Sequence, residues 1–279
     1  MRLPRAKLAN SVTATADELK VRKATWVDAR RRENAEGIYR ARSLSLPLPP
    51  SFHDGLRVPR AARSVIAELD ASCVAGSVGA VVEMLGVLES AGATALSVAG
   101  DGPAHEEAYQ AVLLIAQFTT LPILLREMVL DPLQIAMARA HGAAAVVLDP
   151  ALHGERELRT LCRAASDLGL DAIVTIRTVS DLEQAARLRR VSADPFAMRL
   201  LGVGCHRPVC GDADEAHFAK LAMQLPEDVV GIVMADVTSA DIAVRLSEHG
   251  YEALLVRVDL ADRESVDRMR IVAGSPTFA

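Results

Sequence analysis

The sequence predicts a (β/α)8, or TIM, barrel with an N-terminal helical extension. Three observations carry that expectation. The chain is 279 residues long and 51% hydrophobic, which suits one large α/β unit. From residue 64, short apolar runs rich in Val, Ile and Leu alternate with amphipathic stretches of about a dozen residues. The apolar runs number eight and recur every 22 to 30 residues. Continuous apolar strands separated by helices indicate a parallel sheet buried on both faces. Eight such units favour a closed barrel over an open, doubly wound sheet. No G-x-G-x-x-G follows the first run, which weakens a dinucleotide-binding reading.

The elements follow in order. Residues 15–42 read as one helix. Thr15 and Glu18 have capping-box spacing, and Ala16, Leu19, Trp26 and Val27 share a face that Lys23 interrupts. Leu46-Pro47-Leu48-Pro49-Pro50 breaks any helix and reads as an extended linker. This places an N-terminal extension at residues 1–60 and the barrel at 61–279. The strands are expected at 64–69, 94–99, 122–126, 144–149, 171–176, 199–204, 229–234 and 252–257. Gly92, Gly142, Gly169 and Gly250 each precede a strand, where a helix C-cap requires a positive φ.

Composition narrows the function classes. Residues 1–60 carry thirteen Lys/Arg against six Asp/Glu, and residues 61–279 carry eighteen against thirty. The favoured reading is a basic helix lying on an acidic barrel, not a nucleic-acid arm. Aromatics are only 3%, so no stacking platform for single strands is expected. No apolar run approaches the roughly 20 residues that cross a bilayer. The first residues lack the apolar core of a secretory signal. The four cysteines show no disulfide spacing, so a reduced, cytoplasmic protein is expected. Cys205-His206…Cys210 lacks a second cluster for zinc, and neither metal nor other cofactor is expected. His153, in the loop after the fourth strand, reads as an incidental loop histidine more than as a general base.

Several segments carry a resemblance. Ile66-Ala67-Glu68-Leu69, Glu89-Ser90-Ala91-Gly92-Ala93-Thr94-Ala95-Leu96-Ser97-Val98, Leu121-Pro122-Ile123-Leu124, Asp131-Pro132-Leu133-Gln134-Ile135 and the run His141–Leu148 occur in a fixed order. In order and spacing they resemble indole-3-glycerol phosphate synthases over roughly residues 60–260. That family also carries an N-terminal helical extension. The resemblance implies a reaction that closes an indole ring with loss of carbon dioxide and then water. It also implies lysines on the first and third strands, glutamates on the first and fifth, an Asn on the sixth, and phosphate-holding Ser/Gly loops.

Position by position, Glu68 and Ser97 are retained. The first-strand lysine falls on Asp70, and the third-strand Lys-Asp-Phe on Arg126-Glu127-Met128. The fifth-strand glutamate falls on Thr175, the Asn on Gly204 and a following Arg on His206. The phosphate loops fall on Ile232-Val233-Met234-Ala235 and on Arg257-Val258-Asp259. Only four lysines exist, Lys7, Lys20, Lys23 and Lys220, so no shift of alignment places one on a barrel strand. An arginine clamps a carboxylate but delivers no proton, because its pKa stays above about 12. Asp236 and Asp259 oppose an anion at the old phosphate loops, with Arg257 between them.

These readings give a candidate site of Glu68, Asp70 and His206 as proton-moving residues, with Ser97, Arg126, Arg177 and Arg257 binding substrate. Glu68 and Asp70 lie two apart on one strand, so both carboxylates are expected at the mouth. They form either a coupled acid–base pair or, with Arg126 between them, a binding bridge. Asp70 as a simple loop cap is the plainer alternative. The function expected is a repurposed barrel, a lyase (decarboxylase) or cyclase, acting on a small carboxylated or anthranilate-like metabolite in specialised biosynthesis. A non-catalytic ligand- or partner-binding barrel is the alternative. A true indole-3-glycerol phosphate synthase stands third, for want of the lysines. The partner expected is a small-molecule substrate, with neither nucleic acid nor membrane.

Overall fold

The computed structural model describes residues 16–33, 35–57, 63–100, 105–191, 198–205, 209–210, 214–259 and 262–274. Eight parallel strands close on themselves in the order β1-β2-β3-β4-β5-β6-β8-β10. They are β1 (Ser64–Asp70), β2 (Ala93–Ala99), β3 (Ile123–Arg126), β4 (Ala145–Leu148), β5 (Asp171–Ile176), β6 (Leu200–Val203), β8 (Val230–Val233) and β10 (Ala253–Arg257). Each expected strand is present within two residues of its expected bounds. Two short strands, β7 (Val209–Cys210) and β9 (Asp236–Val237), pair beside the barrel and had no signal in the sequence.

Strand alternation divides the core in two. Ile66, Ala95, Leu124, Ala145, Ile173, Leu200, Val230 and Ala253 fill the barrel interior. Their neighbours Val65, Leu96, Leu125, Val146, Val174, Leu201, Val233 and Leu254 pack outward beneath the helices. Successive strand residues point to opposite faces, so a strand buried on both must be apolar throughout. The same alternation carries Glu68, Ser97 and Arg126 to the inner face, each two residues beyond an interior apolar residue. The helix-to-strand turns are built as the sequence predicts, with positive φ at Gly92, Gly142, Gly169 and Gly250.

The N-terminal extension departs from the single helix expected. It forms α1 (Ala16–Arg32), then α2 (Ala35–Ser45). The Glu33 N–H donates to the Arg30 carbonyl at 3.2 Å, a tightened last turn that ends α1. The break lets α2 lie on the helix Pro132–Ala140, where the Ser43 hydroxyl donates to the Ala136 carbonyl at 3.0 Å. Thr15 of the expected capping box lies outside the described residues, as does the expected boundary near residue 60.

Buried Arg139 holds the Pro-rich linker. Its guanidinium donates to the carbonyls of Leu46 (3.1 Å), Pro47 (2.8 Å) and Leu168 (3.1 Å). A one-turn helix, α3 (Phe52–Gly55), follows. Ser51 caps it, and the Asp171 carboxylate accepts from the N–H groups of Phe52 (2.9 Å) and His53 (3.1 Å). Phe52 and Leu56 join the interior core and plug the N-terminal end of the barrel.

The basic helix does lie on acidic parts of the barrel. Arg30 pairs with Glu106 and Arg31 with Asp131, while Lys23 reaches Glu127 at 2.6 Å. Lys23 is only 2% exposed although it is the residue that interrupts the apolar stripe.

Candidate functional site

The strand C-termini converge on two regions of different character. On one side, Glu68 of β1 is gripped by two arginines. Arg126 extends from β3 across β2 and donates through Nε to Glu68 Oε2. Arg257, the register partner of Glu68 on β10, donates through Nε (3.3 Å) and Nη2 (3.1 Å) to Oε1. Both Glu68 oxygens are therefore engaged as acceptors, and the residue is 1% exposed. Ser97 stands beside it, in register with Glu68 on β1 and Leu124 on β3. The Ser97 hydroxyl is buried and finds no hydrogen-bond partner among the described residues.

On the other side lies a cavity of about 200 Å³ over β3 to β8. Arg126, Asp149, Arg177 and Thr175 supply polar groups. Met128, Val129, Val147, Leu152 and Met234 supply apolar wall, and Gly204 and Cys205 part of the rim. Arg177 Nη2 pairs with Asp149 at 2.5 Å. Its own N–H donates to the carboxylate of Asp181, in the first turn of the helix Val179–Val191. The Thr175 hydroxyl contacts the Leu148 carbonyl at 3.5 Å.

Asp70 is not brought to Glu68 as an acid–base partner. It is exposed at the end of β1, where its carboxylate accepts from the N–H (2.9 Å) and hydroxyl (2.6 Å) of Ser72. There it caps the 3-10 turn Ala71–Val74. The alternation argument fails because the strand stops at Asp70 and the side chain turns to the following loop. The plainer of the two readings of Asp70 is the one the geometry gives. His206 lies outside the described residues, as does the Cys210 side chain. Among the described residues no three His, Cys, Asp or Glu side chains gather as a metal site. His153 donates from Nε2 to the Val129 carbonyl at 2.8 Å, stitching two loops together. Burial pushes the thiols of Cys73 and Cys162 up to about 12, so neither is a nucleophile near neutrality.

Three backbone donors at the end of the eighth barrel strand already have acceptors. The N–H of Arg257 goes to Asp236 (2.8 Å), that of Val258 to the Glu68 carbonyl (2.9 Å) and that of Asp259 to the Ser265 hydroxyl (3.0 Å).

One cluster escaped the sequence reading. Glu127 accepts from Lys23, from the Tyr109 hydroxyl and from Gln134 (3.1 Å), with its carboxylate fully buried. Burial drives the Glu127 carboxyl above its ordinary range, while the Lys23 ammonium pulls it back. The signal was Lys23 on an apolar face, a charge that had to find a partner. A lysine thus does reach the end of the third strand, from outside the barrel. It sits in the helical layer with Tyr109 and Gln134, not in the mouth.

A family model for indole-3-glycerol phosphate synthase matches residues 16–270. The chain belongs to the indole-3-glycerol phosphate synthase family. The Koribacter versatilis indole-3-glycerol phosphate synthase is 30% identical over 206 residues, covering 72% of this chain and 76% of that protein. The Opitutus terrae enzyme is 30% identical over 221 residues, covering 76% and 80%. Among solved structures, a mutant tryptophan synthase α-subunit from Pyrococcus furiosus superposes with a TM-score of 0.57 at 13% identity. It covers 76% of this chain and 98% of that one. The likeness is one of fold. No described helix is long and apolar enough to cross a membrane.

Proposed function

We propose that this family member is a repurposed barrel, a lyase or cyclase that takes a small carboxylated, anthranilate-like metabolite. The observation that carries the reading is the cavity in which Arg126 and Arg177 share a wall with Val129, Val147, Leu152 and Met234. Two guanidiniums suit a carboxylate, and the apolar wall suits a flat hydrocarbon body. In this reading Arg126 and Arg177 hold the carboxylate and Glu68 accepts a proton. His206 moves a second proton, and Ser97 and Arg257 flank the reacting group. No metal or organic cofactor is called on, and the protein works in the cytoplasm. The family's own reaction is disfavoured because arginine replaces the proton-delivering lysine, and because the N–H groups of residues 257 to 259 are spent internally.

Titration calorimetry with anthranilate tests this. Binding is expected, weakened about tenfold or more by Arg177→Ala, the loss of one charge-assisted contact. Binding indifferent to both Arg126→Ala and Arg177→Ala would sink the reading. A second reading, a ligand-binding barrel without chemistry, is favoured by one feature. Both Glu68 oxygens are spent on arginines and Asp70 is turned away. Turnover of a bound carboxylate, followed by mass spectrometry, separates the two.

A further inference from the structure

Ser97 presents an unexplained hydroxyl. Buried polar groups are almost always paired, and an orphan calls for a reason. Ser97 Oγ has no partner among the described residues although it lies on the inner face, two residues beyond interior Ala95. Its register partner Glu68 projects into the same layer, one strand spacing of about 4.8 Å away. The Arg126 side chain spans from β3 to β1 and so passes over β2, where Ser97 sits. Arg126 takes Glu68 Oε2, the oxygen that Arg257 leaves open.

Arg126 is also a wall of the cavity, and it uses one of its five N–H donors on Glu68. Its two terminal nitrogens have no partner among the described residues. One carboxylate thus serves two guanidiniums, one on each oxygen.

We propose that Arg126 is an exchangeable anchor, moving from Glu68 to the carboxylate of a bound small molecule while Glu68 Oε2 takes the Ser97 hydroxyl in its place. Glu68 is then the internal competitor of the ligand, and Ser97 is a positioning residue that receives it. The exchange keeps every buried group satisfied in the bound state. Arg257 stays on Oε1 throughout and holds Glu68 near the mouth. This inference rests on the reading that the ligand carries a carboxylate.

Two substitutions give opposite signatures. Glu68→Gln removes the competing charge and should tighten anthranilate binding about tenfold, one ion pair's worth. Ser97→Ala should weaken binding severalfold yet raise the melting temperature of the free protein, because it deletes an unsatisfied hydroxyl. A merely structural serine would not move the two readouts in opposite directions. Arg126→Ala should abolish binding in both backgrounds. In a crystal structure of the anthranilate complex, Glu68 Oε2 should lie within hydrogen-bond distance of Ser97 Oγ. If anthranilate binds and depends on Arg126, but Glu68→Gln and Ser97→Ala bind like wild type, the exchange is wrong and the carboxylate reading stands. If anthranilate binds neither wild type nor Glu68→Gln, both fall.

Discussion

Lys23 and Glu127 form a charge pair with side chains 2% and 0% exposed. Such a pair contributes little against an apolar replacement, but removing one half strands the other. Lys23→Met is expected to cost about 3–5 kcal/mol in urea denaturation. The double variant Lys23→Met/Glu127→Leu should recover much of that. Equal losses in the single and double variants would refute the pairing argument. His141 gives a pH prediction. Burial against Tyr39 and Tyr109 holds its imidazole below the ordinary value of about 6.5, despite a 2.7 Å contact from Nδ1 to the Met137 carbonyl. A depressed histidine resists protonation when folded. Its stabilising effect is full above about pH 6.5 and is lost as pH falls through the depressed value. Melting curves between pH 7.5 and 5 should show that loss, and His141→Gln should flatten it. The mouth was half legible at this level. Glu68, Ser97, Arg126, Arg177 and Arg257 lie at strand ends, where the strand assignment and the resemblance put them. Their pairings were not legible, because Arg126 and Arg257 reach Glu68 across 58 and 189 residues of sequence.

Helix α3 is only four residues long, yet it closes one end of the barrel. Phe52→Ala should destabilise by about 3–5 kcal/mol, the usual result of emptying a buried aromatic site. Asp171→Ala removes the acceptor for two helix N–H groups and should cost about 1–2 kcal/mol. Thermal or chemical denaturation measures both, and a Phe52→Ala protein as stable as wild type would mean the plug is dispensable. The eight strands were legible because burial on both faces forces an unbroken apolar run. Helix α3 was not, since one turn is too short to show a period, and its partner Asp171 begins a strand more than a hundred residues on. The break between α1 and α2 was hidden for a related reason. Asn34 is a weak break signal and neither Pro nor Gly precedes Gly37, so only packing on the helix Pro132–Ala140 shows why the chain turns.

The barrel keeps its family's frame, and the proposed function places a different chemistry at its mouth. Purified protein is expected to form no indole-3-glycerol phosphate above background in a steady-state assay. Robust turnover, abolished by Glu68→Gln, would overturn the argument from the missing lysines. Inorganic phosphate is expected to bind weakly by calorimetry, since the N–H groups of residues 257 to 259 already have acceptors. A micromolar affinity lost in Arg257→Ala would show that Arg257 outweighs Asp236 and Asp259. The family and the barrel were readable from motifs that serve packing, such as Gly92-Ala93 and Asp131-Pro132. The present ligand was not, because the residues that would select it are those in which this chain departs from the family pattern.

The linker and α3 are synthesised early but find their anchors late. Arg139 grips Leu46 and Pro47 from more than ninety residues downstream, and Asp171 receives Phe52 from 119 residues downstream. Lys23 waits similarly for Glu127, 104 residues on. A nascent chain that has reached only β4 therefore holds a partial sheet whose floor is open and whose Phe52 has no socket. Emergence of β5 brings the Asp171 acceptor, and β6, β8 and β10 then add the rest of the socket. The extension thus ties its contacts to segments made well after it, and the latest of these anchors, Asp171, comes only with β5.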